Sequence, residues 1–305
     1  MKTKNYWFRL IFISFFGLLL VNSSLSSLVN WEEFLDLEPI EFINYEGPNS
    51  RIDTRAQIRE IGYSLGLLIK DGQSRAGGIG RYFVVNSETG GSGLDADIFG
   101  LGVDVGVVHI RNLRLILQGY LEGAYSYSER EAAVLAEYIT IYNAVYRGDI
   151  NFFDSRYNDP VMEHLNQERL GLSIRFDEWP GQTLMVIPLG SIRPGPLSSI
   201  DTSSLINNMV TELLREEPDM GLDTRIEMAE LLDRQAEEAI RQAAVQWEAI
   251  IEGEKLSQGF SIEQLQDLDI LRKQTLEIEE FAVRKINEAQ EERRRITEDL
   301  LSLMG

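Results

Sequence analysis

The chain contains no cysteine. That excludes disulfides, a lipid-modified cysteine, a thiol nucleophile and cysteine-ligated zinc. Histidine is nearly as scarce. There are two, His109 and His164, in different predicted elements, whereas a catalytic zinc usually takes three protein ligands. Basic side chains are outnumbered, 29 Lys and Arg against 49 Asp and Glu, for a formal net charge of −20. Phosphate binding needs clustered cations, so the balance argues against nucleic acid as a partner and against docking on anionic lipid. The acidity itself points to solubility rather than to a particular ligand. What is present is apolar: 44% of 305 residues are hydrophobic, enough for one sizeable core and an additional module.

The N-terminus reads as an export signal. Lys2, Lys4 and Arg9 form a basic region, Leu10 to Val21 an apolar stretch of twelve, and Ser24 and Ser26 stand where a cleavage site needs small residues. The stretch is short for a spanning helix, which needs ~20 apolar residues. Residues 1–27 are therefore expected to be a cleaved signal peptide, with no stable membrane span afterwards and a periplasmic or outer-envelope-associated product; the alternative is an uncleaved anchor, since weak hydrophobicity continues to Val29.

Periodicity divides the rest. Asp53 or Thr54 caps a helix to about Lys70, with Ile58, Ile61, Leu65 and Leu68 on one face. Arg75 to Gly80 is a glycine-rich connector and RYFVV a strand. A helix from about Ile110 carries Leu113, Ile116, Leu117, Tyr120 and Leu121. Ser128 and Glu131 form a capping box for the next, which is apolar around so much of its circumference that it belongs near the centre of the core. LGLSIRF and TLMVIPL, separated by the Pro180-Gly181 turn, read as a β-hairpin. Residues 31–190 are thus expected to form a helix-rich α+β domain. Residues 191–201 are a Pro/Gly/Ser linker, and 202–305 an all-α helical hairpin or coiled-coil arm. One long helix starts near Asp223 with a seam including Ala229, Leu232, Ala236, Ala243 and Ile250. Another follows Ser261 with Leu265, Leu268, Leu271, Ile278 and Ala289. The charged run EERRR reads as a solvated face.

The stretch GGSGLDADIFGLGVDVGVVHIRN looks most like a site, and its spacings fail. As a calcium loop, Asp95 and Asp97 fit, but Phe99 and Gly106 fall where oxygen ligands are required. The glycines do not match a dinucleotide loop. Asp95, Asp97, Asp104 and His109 remain as a weak candidate ligand-binding set, with no catalytic or metal assignment and no cofactor. The plainer reading makes Asp95 the cap of a short helix DADIFG, with Gly100 and Gly102 at positive φ after it. Glu178 beside Trp179 offers an acid for glycoside chemistry, or a turn residue. Tyr120, Tyr125, Tyr127, Tyr138, Tyr142 and Tyr146 read as core with hydroxyls reaching the rim. No G-x-S-x-G is present.

FINYEGPNSRIDTRAQIREIG, GLDADIFGLGVDVGVVHIRNLRLILQGYLEGAY, YITIYNAVYRGD and RFDEWPGQTLMVIPLG together resemble the spirochaetal 83/100-kDa antigen family, named for the Borrelia antigen, over roughly residues 40–190. The resemblance implies a signal peptide, this domain, a charged coiled coil and a place in the cell envelope. It carries over no catalytic residue. Family proteins often have an acid before the histidine of the second block, where this chain has Val108. The chain ends at Gly305, so the resemblance implies a short member or a fragment. Together these features predict a non-enzymatic structural or interaction protein. It would contact envelope proteins, or itself, through helices 223–304. Two rival readings are an enzyme or receptor for an envelope glycan or peptide, using Asp95, Asp97, His109 or Glu178, and a periplasmic chaperone for outer-membrane proteins.

Overall fold

A computed structural model describes residues 52, 54–70, 76–87, 93–102, 110–172, 182–190, 200–216, 221–256 and 259–304. Residues 1–27, expected to be a signal peptide, Asp104, His109, Glu178, most of the expected 191–201 linker and the turn of the expected hairpin lie outside them.

Helix α1 (Arg55–Lys70) opens on a reciprocal cap. The Thr54 hydroxyl accepts from the Gln57 N–H at 3.3 Å, and the Gln57 amide oxygen accepts from the Thr54 N–H at 3.2 Å. Two strands follow, β1 (Ala76–Ile79) and β2 (Tyr82–Ser87), paired antiparallel from Ile79↔Tyr82 outward. Part of the expected connector is therefore an edge strand. Gly80, at φ 58°, takes the left-handed conformation that this two-residue turn requires.

DADIFGL is strand β3 (Asp95–Leu101), buried along its whole length, and not a capped helix. Gly100 is absent from the positive-φ positions and faces Phe83 across the ladder. A Cβ at Gly100 would fall within the Phe83 ring, so the glycine makes room rather than a turn. Next come α2 (Ile110–Tyr125), α3 (Glu129–Val145) and two short helices, α4 (Ile150–Asp154) and α5 (Asp159–Met162). The Ser128–Glu131 capping box of α3 is present, and eleven of its seventeen residues are buried, which makes it the central helix.

TLMVIPL is strand β4 (Thr183–Leu189), but it pairs antiparallel with β3. Its contact with the LGLSIRF stretch, among the described residues, is a single parallel bridge, Leu170↔Leu184. The sheet order is β1-β2-β3-β4. The outer edge of β4 is closed position by position. Leu184 donates to the Arg169 carbonyl and accepts from Gly171, both at 2.8 Å. The buried Asn143 amide acts as a surrogate strand, giving Nδ2 to the Val186 carbonyl at 2.9 Å and taking the Val186 N–H on Oδ1 at 2.7 Å. Pro188, which has no N–H to satisfy, accepts from Asp201 at 2.8 Å. No open edge is left there for a foreign strand.

Helices α1 and α2 meet along glycines four residues apart on each, Gly62 and Gly66 against Gly119 and Gly123. A Cβ at Gly66 would stand 2.5 Å from the Ala124 nitrogen and 2.6 Å from the Tyr120 oxygen. The helices therefore touch backbone to backbone, as small-xxx-small pairs allow.

After residue 200 come α6 (Thr202–Leu205), α7 (Asn208–Glu216), α8 (Gly221–Leu256) and α9 (Ile262–Met304). The last two form an antiparallel helical hairpin. Thr275 bonds Gln246 at 2.8 Å and Trp247 bonds Glu279 at 2.7 Å. Between them lies a cluster of Ala239, Ala243, Ile278, Phe281 and Ala282. Ser261 and Gln264 cap α9 reciprocally. The base of the hairpin docks on α3, while Leu265, expected in the inner seam, is 42% exposed.

Candidate functional site

In β3 the side chains of Asp95, Asp97 and Phe99 share one face, because strand side chains alternate. Helix α2 lies over that face, and Phe99 meets Tyr120 edge-on with ring centroids 5.7 Å apart. Asp97 is fully buried. Its Oδ1 accepts from Asn86 Nδ2 at 2.7 Å, and its Oδ2 accepts from the hydroxyls of Tyr120 and Tyr125. Burial, then the charge of Asp97, raises the Tyr120 pKa well above the ordinary 10.0, so Tyr120 stays a donor. The arrangement is a carboxylate serving as a common acceptor for two tyrosines of one helix and an asparagine of the neighbouring strand. It pins α2 to the sheet.

Asp95, 4% exposed, accepts from Asn158 Nδ2 at 2.9 Å. Asn158 also brackets Gly93, accepting its N–H at 2.7 Å and donating to its carbonyl at 3.1 Å. Asp95 thus fixes the start of β3 to the segment before α5. Asp104, His109 and Glu178 lie outside the described residues. His164 is exposed. Among the described residues no group of three metal-ligating side chains could hold an ion.

The tyrosines are deeper than expected. Tyr120, Tyr138 and Tyr142 are fully buried and their hydroxyls do not reach a rim. Tyr142 and Tyr157 share a hydrogen bond of 2.8 Å. Tyr146 stacks on Phe152 with centroids 3.5 Å apart. Burial pushes the pKa of Tyr138 and Tyr157 well up, as it does for Tyr120.

The larger departure from expectation is ionic. Part of EERRR is not solvated: Glu292 is fully buried and takes Arg225 Nε at 2.6 Å, while Arg225 Nη1 reaches Asp299 at 2.5 Å. Burial works against the Arg225 charge, but these two carboxylates outweigh it and its pKa is raised. Arg114 holds Glu137 at 3.2 Å, and Glu137 accepts from Thr224. Arg130 pairs with the buried Glu227. The buried Lys285 bonds Thr202 and Glu288. The Arg225 set ties α8 to α9, and the other groups join α3 and α6 to the hairpin. Such buried pairs supply little net stability, yet removing one partner leaves an uncompensated charge. They specify where the hairpin sits.

What the surface offers instead is the outer half of the hairpin. There Val245 is 63%, Leu256 67%, Ile262 78%, Ile270 56% and Leu276 46% exposed, while at the C-terminal end of α9 Leu301 is 62% and Leu303 81% exposed. No helix among the described residues is long and apolar enough to cross a membrane.

Fold and surface define a class: an α+β domain with a four-stranded antiparallel sheet, buried carboxylates used as structural acceptors, and a long, charged helical hairpin whose outer half exposes several large apolar side chains. The chain matches the Borrelia P83/100 protein family over residues 32–299 and belongs to that antigen family. No curated protein and no solved structure shows significant similarity to it.

Proposed function

We propose that the protein is a non-enzymatic interaction protein of the spirochaetal cell envelope. It is exported by its leader and engages partners through the outer half of the α8–α9 hairpin. The observation that carries this reading is the exposure of large apolar side chains on that half, such as Ile262 at 78% and Leu256 at 67%. Exposed apolar surface gathered on one element marks an interaction site. Membership of an envelope antigen family and the leader sequence support the location. The burial of Asp95 and Asp97 favours association over chemistry on a glycan or peptide, because both carboxylates are already engaged by structural donors.

The test combines light scattering of the purified chain with cross-linking in intact spirochaete envelopes. The reading predicts a multimer, or an envelope protein cross-linked to residues 244–283. A monomer at every concentration together with no envelope adduct would sink it.

A further inference from the structure

We propose, resting on the interaction reading, that the occupant of this surface is a second copy of the chain. The two copies dock antiparallel along the outer face of α9. Helix α9 has two stripes. The inner one, Thr275, Ile278, Ala282, Lys285, Ala289, Glu292 and Ile296, is buried against α8 and the domain. The outer one runs through Ile262, Leu265, Asp269, Arg272, Leu276 and Val283, steps of three and four and then seven, which keep to one side of a helix. Its apolar members are well exposed: Ile262 78%, Leu265 42%, Leu276 46% and Val283 49%.

The order along this stripe is the informative part. Leu265, Asp269, Arg272 and Leu276 read apolar, acid, base, apolar. The leucine pair and the charged pair share one midpoint, between Ile270 and Leu271. A two-fold axis at that midpoint sets Leu265 against the partner's Leu276 and Asp269 against the partner's Arg272, and the reverse pairs form by symmetry. A parallel arrangement in register would instead oppose Asp269 to Asp269 and Arg272 to Arg272, which repels. Within one copy Arg272 already holds Asp269 at 2.7 Å and Glu254 at 2.5 Å, with Asp269 75% and Arg272 38% exposed. Two such pairs facing each other alternate in sign. Between Leu265 and Leu276 the surface is therefore complementary to itself in charge and in apolar position, although the chain as a whole carries a charge of −20; the same axis sets Ile262 against the partner's Glu279, outside the matched segment. The antiparallel arrangement also keeps the two acidic domains at opposite ends.

The chain has no cysteine, so introduced thiols report without interference. The variant Leu265→Cys/Leu276→Cys is expected to form a disulfide-linked dimer on mild oxidation, and each single variant is not. The two positions are ~16 Å apart along one helix, too far for an internal bridge. Asp269→Arg is expected to weaken self-association about tenfold by placing like charges together, and Asp269→Arg/Arg272→Asp to restore it to within about threefold. Both sites are exposed, and circular dichroism verifies that each variant remains folded. A dimer of unchanged affinity in Asp269→Arg, or one that the double-cysteine variant fails to trap, overturns this pairing and leaves the interaction reading standing. A chain that is monomeric at every concentration overturns the pairing as well, and takes the interaction reading with it only if envelope cross-linking is also blank.

Discussion

Gly66→Ala tests the closest joint in the domain. The new Cβ would lie 2.5 Å from the Ala124 nitrogen and 2.6 Å from the Tyr120 oxygen, against an ordinary contact of at least 3.4 Å. These are backbone atoms of α2, so no side chain can swing aside. The helices must separate by several tenths of an ångström, and a gap of 0.5–1 Å forfeits roughly a quarter to a half of each contact's dispersion. Overpacking of this kind costs about 1–3 kcal/mol, while alanine regains about 1 kcal/mol of helix propensity over glycine. The expected net is a loss of up to about 2 kcal/mol. For a chain of this size, at about 2 °C per kcal/mol, that is up to roughly 4 °C in Tm. Gly62→Ala should be worse, because its Cβ would overlap the Ile116 carbonyl. Gly253→Ala is the control: it also lies in a helix, but its nearest neighbour is the tip of Leu268 at 3.0 Å, a side chain that can turn. It should be neutral or slightly stabilising. Differential scanning calorimetry of the three variants decides. A Gly66→Ala protein that melts above the wild-type temperature, or a Gly62→Ala protein as stable as Gly253→Ala, would refute the backbone-to-backbone account.

Asn143→Ala should strip the Val186 N–H and C=O of their partners, and a buried orphan costs about 1–3 kcal/mol each. A loss of at least about 2 kcal/mol in urea unfolding is expected, and a loss near zero would mean that β4 finds another edge partner. Acid should also weaken the fold through specific groups. Burial raises the Glu131 pKa, but the Ser128 cap and Arg234 outweigh it and leave it below the ordinary 4.5. Asp299 is likewise lowered, with Arg225 and Arg215 overcoming its burial. For a depressed carboxylate the stability is fully present above the unfolded-state pKa and is lost as pH falls through the lower native value. Asp299→Asn should flatten that acid-side slope in a Tm-against-pH series, and an unchanged slope would remove Asp299 from the account.

Local chemistry was legible in the sequence wherever both partners lie within a turn. The pairs Thr54/Gln57, Ser128/Glu131 and Ser261/Gln264 all cap as their spacing predicts. The all-round apolar pattern of Ala132 to Val145 placed α3 at the centre. What failed was non-local. In DADIFGL the acids alternate, which suggests a solvated face or a helix cap. The donors that bury Asp97 come from Asn86, Tyr120 and Tyr125, eleven to twenty-eight residues away. The partner of TLMVIPL is β3, more than eighty residues earlier, while the nearer LGLSIRF offered a simpler hairpin. Two further signals are readable in the sequence. Glycines four apart in both α1 and α2 announce close helix packing. The stripe 275-278-282-285-289-292-296 keeps its three-and-four rhythm straight through Thr275, Lys285 and Glu292, so those polar residues belong to the buried seam. The same rhythm assigns Leu265 to the other side.

The account rests most heavily on the outer face of α9 being an association surface. A photo-reactive residue placed at Leu276 in the full chain, irradiated in intact envelopes, tests this directly. Glu163, exposed on the globular domain, is the reference position. The account predicts a discrete cross-linked adduct from Leu276 and none from Glu163. No adduct from Leu276, or equal adducts from both positions, would contradict it.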